Sequence, residues 1–298
     1  MPDIHFHREE WFSIVECASC GLGFVNPRPT YTEMAKYYPA EFYQYFDDVK
    51  THGPRYEHEA AFLGEAAGEA RLLDIGCANG DFPRFMKKRG WQVEGVEVSS
   101  NSRSIKDFPV YQQEFASLPF NTSRYDAITA WAVLEHVHDP MAYFRKAAEL
   151  LKPGGRLIFL VTNFKSVSSR SLFQEDPPRH LYFFTEETVK SYLATVGLRF
   201  ESAHYDNKIY EMRPVGWLRH LIFRYILHKP FRFEDIPDNR VQYLKRHGLD
   251  NSFLGNLRYL FSHPFTVFDR LTMPLYEKAQ MLARTYGVVI YVATRPTS

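Results

Sequence analysis

Cysteine is scarce in this chain: Cys17, Cys20 and Cys77 are the three in 298 residues. That count excludes a disulfide framework and fits a reducing compartment. No apolar run reaches the roughly 20 residues that a spanning helix needs. The opening MPDIHFHREE has no apolar signal core. Net charge is nearly absent too, +1 from 36 basic and 35 acidic residues, so no electrostatic footprint for nucleic acid is evident. These absences predict a soluble, cytoplasmic protein. Aromatic side chains are plentiful instead, 25 Phe and 19 Tyr, and most are expected in the core.

Residues 1–70 read as irregular and aromatic, with Thr30 and Glu33 at capping-box spacing for a short helix. From residue 71 strands and helices alternate. RLLDIG is a strand, DFPRFMKKRG a helix closed by Gly90, and QVEGVEV, VYQQ and YDAITAWAV are further strands. DPMAYFRKAAELLKPGG is a helix stopped by Pro153 and Gly154, and RLIFLVT is the fifth strand. An irregular stretch over 163–184, a helix over 185–196 and a strand at RFESAHYD follow. Residues 207–284 form a polar and aromatic insertion of mostly helical pattern, and GVVIYVATR closes the chain as a strand. The alternation predicts an α/β fold with a parallel sheet and right-handed crossovers. The expected organisation is an N-terminal segment over 1–70, a core over 71–206, an insertion or lid over 207–284, and a last core strand with tail over 285–298.

The first strand runs into a short glycine-bearing loop, RLLDIGCANGDF. A phosphate-binding Walker loop needs Lys and Ser or Thr after its last glycine, but Asp81 and Phe82 follow Gly80. A dinucleotide fingerprint needs G-x-G-x-x-G, and the spacing of Gly76 and Gly80 is G-x-x-x-G. Asp81 at a helix start also repels a pyrophosphate. The remaining ligand is S-adenosylmethionine, whose ammonium and carboxylate need an acid as well as backbone N–H donors. Asp74 ends the first strand and can serve the ammonium. Gly76 and Gly80 let the backbone pass close beneath the ligand, with Cys77 a small residue between them. Glu97, next to Val98, ends the second strand and can accept from both ribose hydroxyls. Glu114 and Phe115, past the third, can read an adenine edge. Three acids at the C-terminal ends of consecutive strands mark the edge where open α/β sheets bind ligands.

LLDIGCANG, VEGVEVS, QEFASLPF, YDAITAWAVLEHVHDP and LKPGGRLIF together resemble the successive motifs of class I S-adenosylmethionine-dependent methyltransferases over residues 71–162. The resemblance implies a Rossmann-like seven-stranded sheet whose last strand, VVIYVATR, is antiparallel and inserted beside RFESAHYD. It maps cofactor residues onto Asp74, Gly76, Gly80, Glu97, Glu114, Phe115 and the Trp131 region. CASCGLGFVNPRP, YYPAEFYQYF and PRHLYFFT narrow it to a branch with an N-terminal cysteine knuckle, similar to ubiquinone-type O-methyltransferases and sugar methyltransferases. In those relatives two C-x-x-C pairs bind zinc. Here Cys17 and Cys20 form one pair, and His5 and His7, on one face of a strand, stand where the other would be. A degenerate knuckle kept as a tight turn is the favoured expectation over a zinc site.

Methyl transfer from a sulfonium is an in-line displacement governed by positioning. A hydroxyl acceptor adds the need for a base, which histidine meets at neutral pH. Glu135 and His136 follow the fourth strand, and His180 and Tyr182 lie in the segment after the fifth; His180 is the first candidate base and His136 the second. His136 has a plainer role open to it, shaping the pocket, and His138 is expected to face solvent. No N-P-P-[YF]-like turn and no Cys–Pro nucleophile follow the fourth strand, which favours a small-molecule or glycan acceptor over nucleic acid or protein. Two alternatives stand beside that reading. One is a cofactor-binding module without turnover. The other is a peripheral enzyme on the inner membrane with a lipid-linked or quinone-like acceptor, resting on 215–233, where Trp217, Leu218, Leu221, Ile222 and Tyr225 make an apolar helical face among cations. The plainer expectation there is a lid helix packed on the core.

Overall fold

A computed structural model describes residues 1, 9–39, 53–99, 105–120, 122–172, 174–229 and 264–297. Among the described residues, ten strands fall into two sheets. β1 (Ile14–Glu16) and β2 (Gly23–Val25) form a hairpin, and β8 (Tyr182–Phe183) joins it to make a three-stranded antiparallel sheet. The second sheet has seven strands in the order β5-β4-β3-β6-β7-β10-β9. These are β3 (Arg71–Ile75), β4 (Gln92–Val96), β5 (Val110–Tyr111), β6 (Tyr125–Trp131), β7 (Leu151–Thr162), β9 (Arg199–His204) and β10 (Val288–Thr294). β10 runs antiparallel between β7 and β9, as the resemblance implied.

Helix α1 (Gly53–Ala61) precedes the sheet, and α2 (Asp81–Lys88) connects β3 to β4. Helix α3 (Pro140–Leu150) starts where Asp139 accepts from the Ala142 amide at 3.0 Å. The fifth strand starts earlier than the sequence suggests. Leu151 already pairs with Tyr125, and an irregularity absorbs the residues before Arg156 pairs with Ala127. Gly155 fits this bulge because a Cβ there would lie 2.9 Å from the Lys152 carbonyl oxygen. The Thr30–Glu33 exchange is present: Glu33 Oε2 accepts from the Thr30 amide at 2.7 Å, at the head of a 3₁₀ turn over Glu33–Tyr37. Thr185 and Thr188 box the start of α5 (Glu186–Thr195) in the same manner.

The core lies against the large sheet. Leu73, Ile128, Phe144, Phe159 and Tyr291 are all but inaccessible to solvent. Phe144 and Phe159 meet edge to face at 5.4 Å. One buried carboxylate, Glu94, is satisfied by Arg71, Arg124, Tyr111 and Tyr125. Burial opposes its charge, and these donors outweigh burial to hold the group below its ordinary range.

The chain divides into two compact units, the first over 2–163, 176–211 and 288–298, the second over 164–175 and 212–287 with Met1. Within the first unit β1 and β2, from the N-terminal segment expected over 1–70, pair with β8. The irregular stretch over 163–184 divides between the units. The second unit holds α4 (Val167–Ser171), α6 (Trp217–Leu221), a π turn over Ile222–Ile226, and the long α7 (Pro264–Leu282). α6 rests on α7: Trp217 stacks on Tyr276 at 4.4 Å, and the Leu218 amide donates to Asp269 at 3.0 Å. Residues 230–233, the end of the segment singled out for a membrane, lie outside the described residues.

Candidate active site

β3, β4 and β5 are adjacent and parallel, so Asp74, Glu97 and Glu114 come to the same edge of the sheet. Asp74 is fully buried and accepts from the Thr129 hydroxyl on the neighbouring strand at 2.6 Å. Burial pushes its carboxyl up to about 8, against the pull of Thr129. Glu59 on α1 contributes to that rise; it is itself pushed up to about 7 by burial while Arg55 holds it at 2.7 Å. Neither α1 residue was legible in the sequence, where EHEA reads as an ordinary polar stretch.

The Asp74 shift makes a testable statement about pH. A carboxyl raised above its ordinary value near 4 adds stability that is complete below that value and is lost as pH rises through about 8. Asp74→Asn cannot ionise. Its ligand-free melting temperature is expected to exceed that of the native chain by a few degrees at pH 9, the gap narrowing toward pH 5. Thermal unfolding across that range checks it; a gap that widens toward low pH contradicts it.

The glycine loop is tight because of its own chain. Gly76 has φ +70°, and a Cβ there would lie 2.6 Å from Val133 Cγ2. Gly80, at φ +85°, would place one 2.8 Å from Ile105 and Phe108. Between them Cys77 is a buried packing residue beneath Gly95, and burial pushes its thiol up, away from the reactive thiolate. Glu97 ties this loop to the next: its Oε2 accepts from the Ala78 amide at 3.0 Å and its Oε1 from the Ser99 amide at 2.8 Å. Val98 beside it is 57% exposed.

Glu114 is engaged by two phenols. The Tyr31 hydroxyl donates to Oε1 at 2.8 Å and the Tyr143 hydroxyl to Oε2. Phe115 is buried against Tyr143. Trp131, at the end of β6, is buried edge to face on Phe82, and its indole N–H has no partner among the described residues.

The histidines form a second cluster in the same unit. The rings of His136 and His180 meet edge to face, centroids 4.7 Å apart, and Glu135 is buried beside them. Ligating atoms of the three lie within 4.8 Å of one another. His136 Nδ1 is 3.1 Å from the Arg179 carbonyl, which only accepts, so the proton is assigned to Nδ1 and Nε2 keeps its lone pair. Tyr38 Oη also lies 3.1 Å from Nδ1. Burial, with the neighbouring His180, pushes His136 down to about 3, so it stays neutral.

The His180 segment is pinned rather than loose. The Leu181 and Tyr182 amides both donate to the Glu135 carbonyl, at 2.7 and 3.2 Å. Arg179, fully buried, pairs with Asp176 and donates to the Tyr37 carbonyl at 3.1 Å. Sequence reasoning missed Arg179, although it stands beside His180 in the quoted motif. Arg179→Met keeps the bulk and removes every hydrogen bond. It is expected to cost about 3 kcal/mol of unfolding free energy, as breaking a buried pair does; urea denaturation reads it, and an unchanged midpoint contradicts it.

Tyr182 does not join the pair: its hydroxyl donates to the His138 carbonyl at 3.1 Å and its ring lies under Arg28. His138 is not solvent-facing but half-buried, with Nε2 3.1 Å from the Pro29 carbonyl. Cys17 and Cys20 flank a tight turn in which the Gly21 amide donates to the Cys17 carbonyl at 2.8 Å. Among the described residues no third metal-ligating group joins them. His5 and His7 lie outside the described residues.

Comparison with known proteins agrees with the fold. Residues 44–203 match the methyltransferase domain family. A ubiquinone biosynthesis O-methyltransferase of Alkalilimnicola ehrlichii is 31% identical over 119 residues, 37% of this chain and 48% of the relative. Another, from Xanthomonas axonopodis pv. citri, is 34% identical over 128 residues, 37% and 49% of the two chains. The chain thus spans about half the length of these curated relatives. In fold it is similar to a SAM-dependent methyltransferase from Archaeoglobus fulgidus, with TM-score 0.53 at 16% identity, covering 86% of this chain and 100% of that one. An open α/β sheet with acids at adjacent strand ends defines a cofactor-binding enzyme core. The chain belongs to the class I S-adenosylmethionine-dependent methyltransferases.

Proposed function

We propose that the chain moves the methyl group of S-adenosylmethionine to a hydroxyl of a small-molecule or glycan acceptor. The observation that carries this reading is the His136–His180 pair beside buried Glu135. A thiol or amine of low pKa needs no such device, whereas a hydroxyl must lose its proton as the methyl arrives. His180 is the base in this reading, and neutral His136 orients it edge to face. Asp74 receives the cofactor's ammonium, Glu97 the ribose hydroxyls, and backbone beside Glu114 and Phe115 the adenine. The names of the curated relatives support a hydroxyl target and extend the acceptor class to phenols of the quinone type.

The test is turnover of S-adenosylmethionine to S-adenosylhomocysteine with a panel of phenols and of sugar nucleotides. Turnover with either group supports the reading and selects the acceptor class. Tight cofactor binding without turnover on any member supports the module reading instead. The Glu135–His136–His180 donors also match a two-histidine, one-carboxylate metal set. A strict divalent-cation requirement, abolished by Glu135→Gln, would move the proton-removing role from His180 to a metal.

A further inference from the structure

Helix α7 in the second unit is turned inside out. Its buried side carries Asp269, Met273, Glu277 and Gln280. Its outer side carries Phe268, Leu271, Leu275 and Leu282, which are 50 to 79% exposed and spaced to lie on one face. A helix that packs on a protein core and faces water has the opposite arrangement. Tyr225, Ile226 and Leu227, at the end of the π turn, add a second exposed apolar group in this unit. Of the face expected from the sequence, Trp217, Leu218, Leu221, Ile222 and Tyr225, Tyr225 belongs to this exposed group, whereas Trp217 is stacked on Tyr276.

Charge decides the occupant. Among the described residues of this unit the acids are Glu175, Asp269 and Glu277, and all three are buried. Arg224, Lys229, Arg270, Lys278 and Arg284 are exposed. Among the described residues the exposed charge beside the apolar stripe is therefore of one sign. A second copy meeting this face through a two-fold axis would bring like charges together. An anionic bilayer matches both features, taking the leucines into its boundary and the cations at its headgroups.

We propose that the outer face of α7, with the Tyr225–Leu227 turn, docks this protein on a membrane surface that contains anionic lipid. The proposal stands apart from the acceptor and base assignments, so either can fail without the other.

The experiment is co-sedimentation of the full chain with vesicles of phosphatidylglycerol and phosphatidylcholine, and with phosphatidylcholine alone. The native chain is expected to pellet with the anionic vesicles and to be released by salt. Leu271→Glu with Leu275→Glu should weaken binding at least tenfold while leaving S-adenosylmethionine affinity unchanged. If that variant does not fold, Arg270→Gln with Lys278→Gln decides, with an expected loss of roughly fivefold for each charge removed. Native protein that stays in the supernatant at low salt overturns the proposal. So does a dimer in solution that Leu271→Glu with Leu275→Glu converts to monomer, or binding insensitive to both variants.

Discussion

His180→Ala is expected to lower kcat by about 10²–10⁴-fold, the range for loss of a general base. S-adenosylmethionine affinity should stay where it was, because the acids assigned to the cofactor lie in β3 and in the segments after β4 and β5. The size of the effect rests on how firmly His180 is held. Its amide donates to the Asp176 carbonyl at 2.8 Å, and its neighbours on either side are anchored by buried Arg179 and by the Glu135 carbonyl. The imidazole is thus delivered to a fixed place against His136. His136→Ala should cost less, since a ring pushed down to about 3 is a poor acceptor of the acceptor's proton and acts by orientation. The readout that separates the roles is the pH profile. Loss of the base should remove the acidic limb of kcat, while loss of the orienting ring should lower the profile and keep its shape. A normal rate for His180→Ala with a dead His136→Ala reverses the assignment.

Glu97→Ala should weaken S-adenosylmethionine binding by about 1.5–3 kcal/mol, roughly ten- to 150-fold in Kd. The carboxylate is oriented before any ligand arrives, because the amides of Ala78 and Ser99 each donate to one of its oxygens. Each oxygen retains a lone pair for a ribose hydroxyl. Removing the side chain loses charged hydrogen bonds and also unties the Ala78 loop. Glu97→Gln separates the two effects: its amide nitrogen faces one of those donors, so it should lose affinity almost as fully without an empty space. Calorimetry on folded variants reads both, and unchanged affinity in Glu97→Ala refutes the ribose assignment.

The large sheet was legible because its strands are short apolar runs punctuated by acids and glycines, and the pattern is local. So was the Thr30–Glu33 capping box, which the structure shows. What could not be read is pairing across long stretches of chain. Phe24 meets Tyr182 only because β8 completes the hairpin sheet, and no periodicity in either segment announces it. The three acids assigned to the cofactor were picked out by position at strand ends, and the sheet brings them to one edge. Arg179 and Glu59 were not, because a charged residue in a polar stretch gives no sign that it is buried. The region of α7 was read only as part of a mostly helical insertion over 207–284, and its apolar stripe was not singled out. That the stripe faces outward follows from the burial of Asp269 and Glu277 on the opposite side.

The central claim is the destination of the methyl group. The most direct measurement supplies S-adenosylmethionine labelled with carbon-13 in its methyl and follows the label by NMR into the acceptors that support turnover. The account predicts one new labelled resonance in the methyl-ether region, absent with His180→Ala. Label appearing on carbon or nitrogen, or remaining wholly on the cofactor with every acceptor, contradicts it.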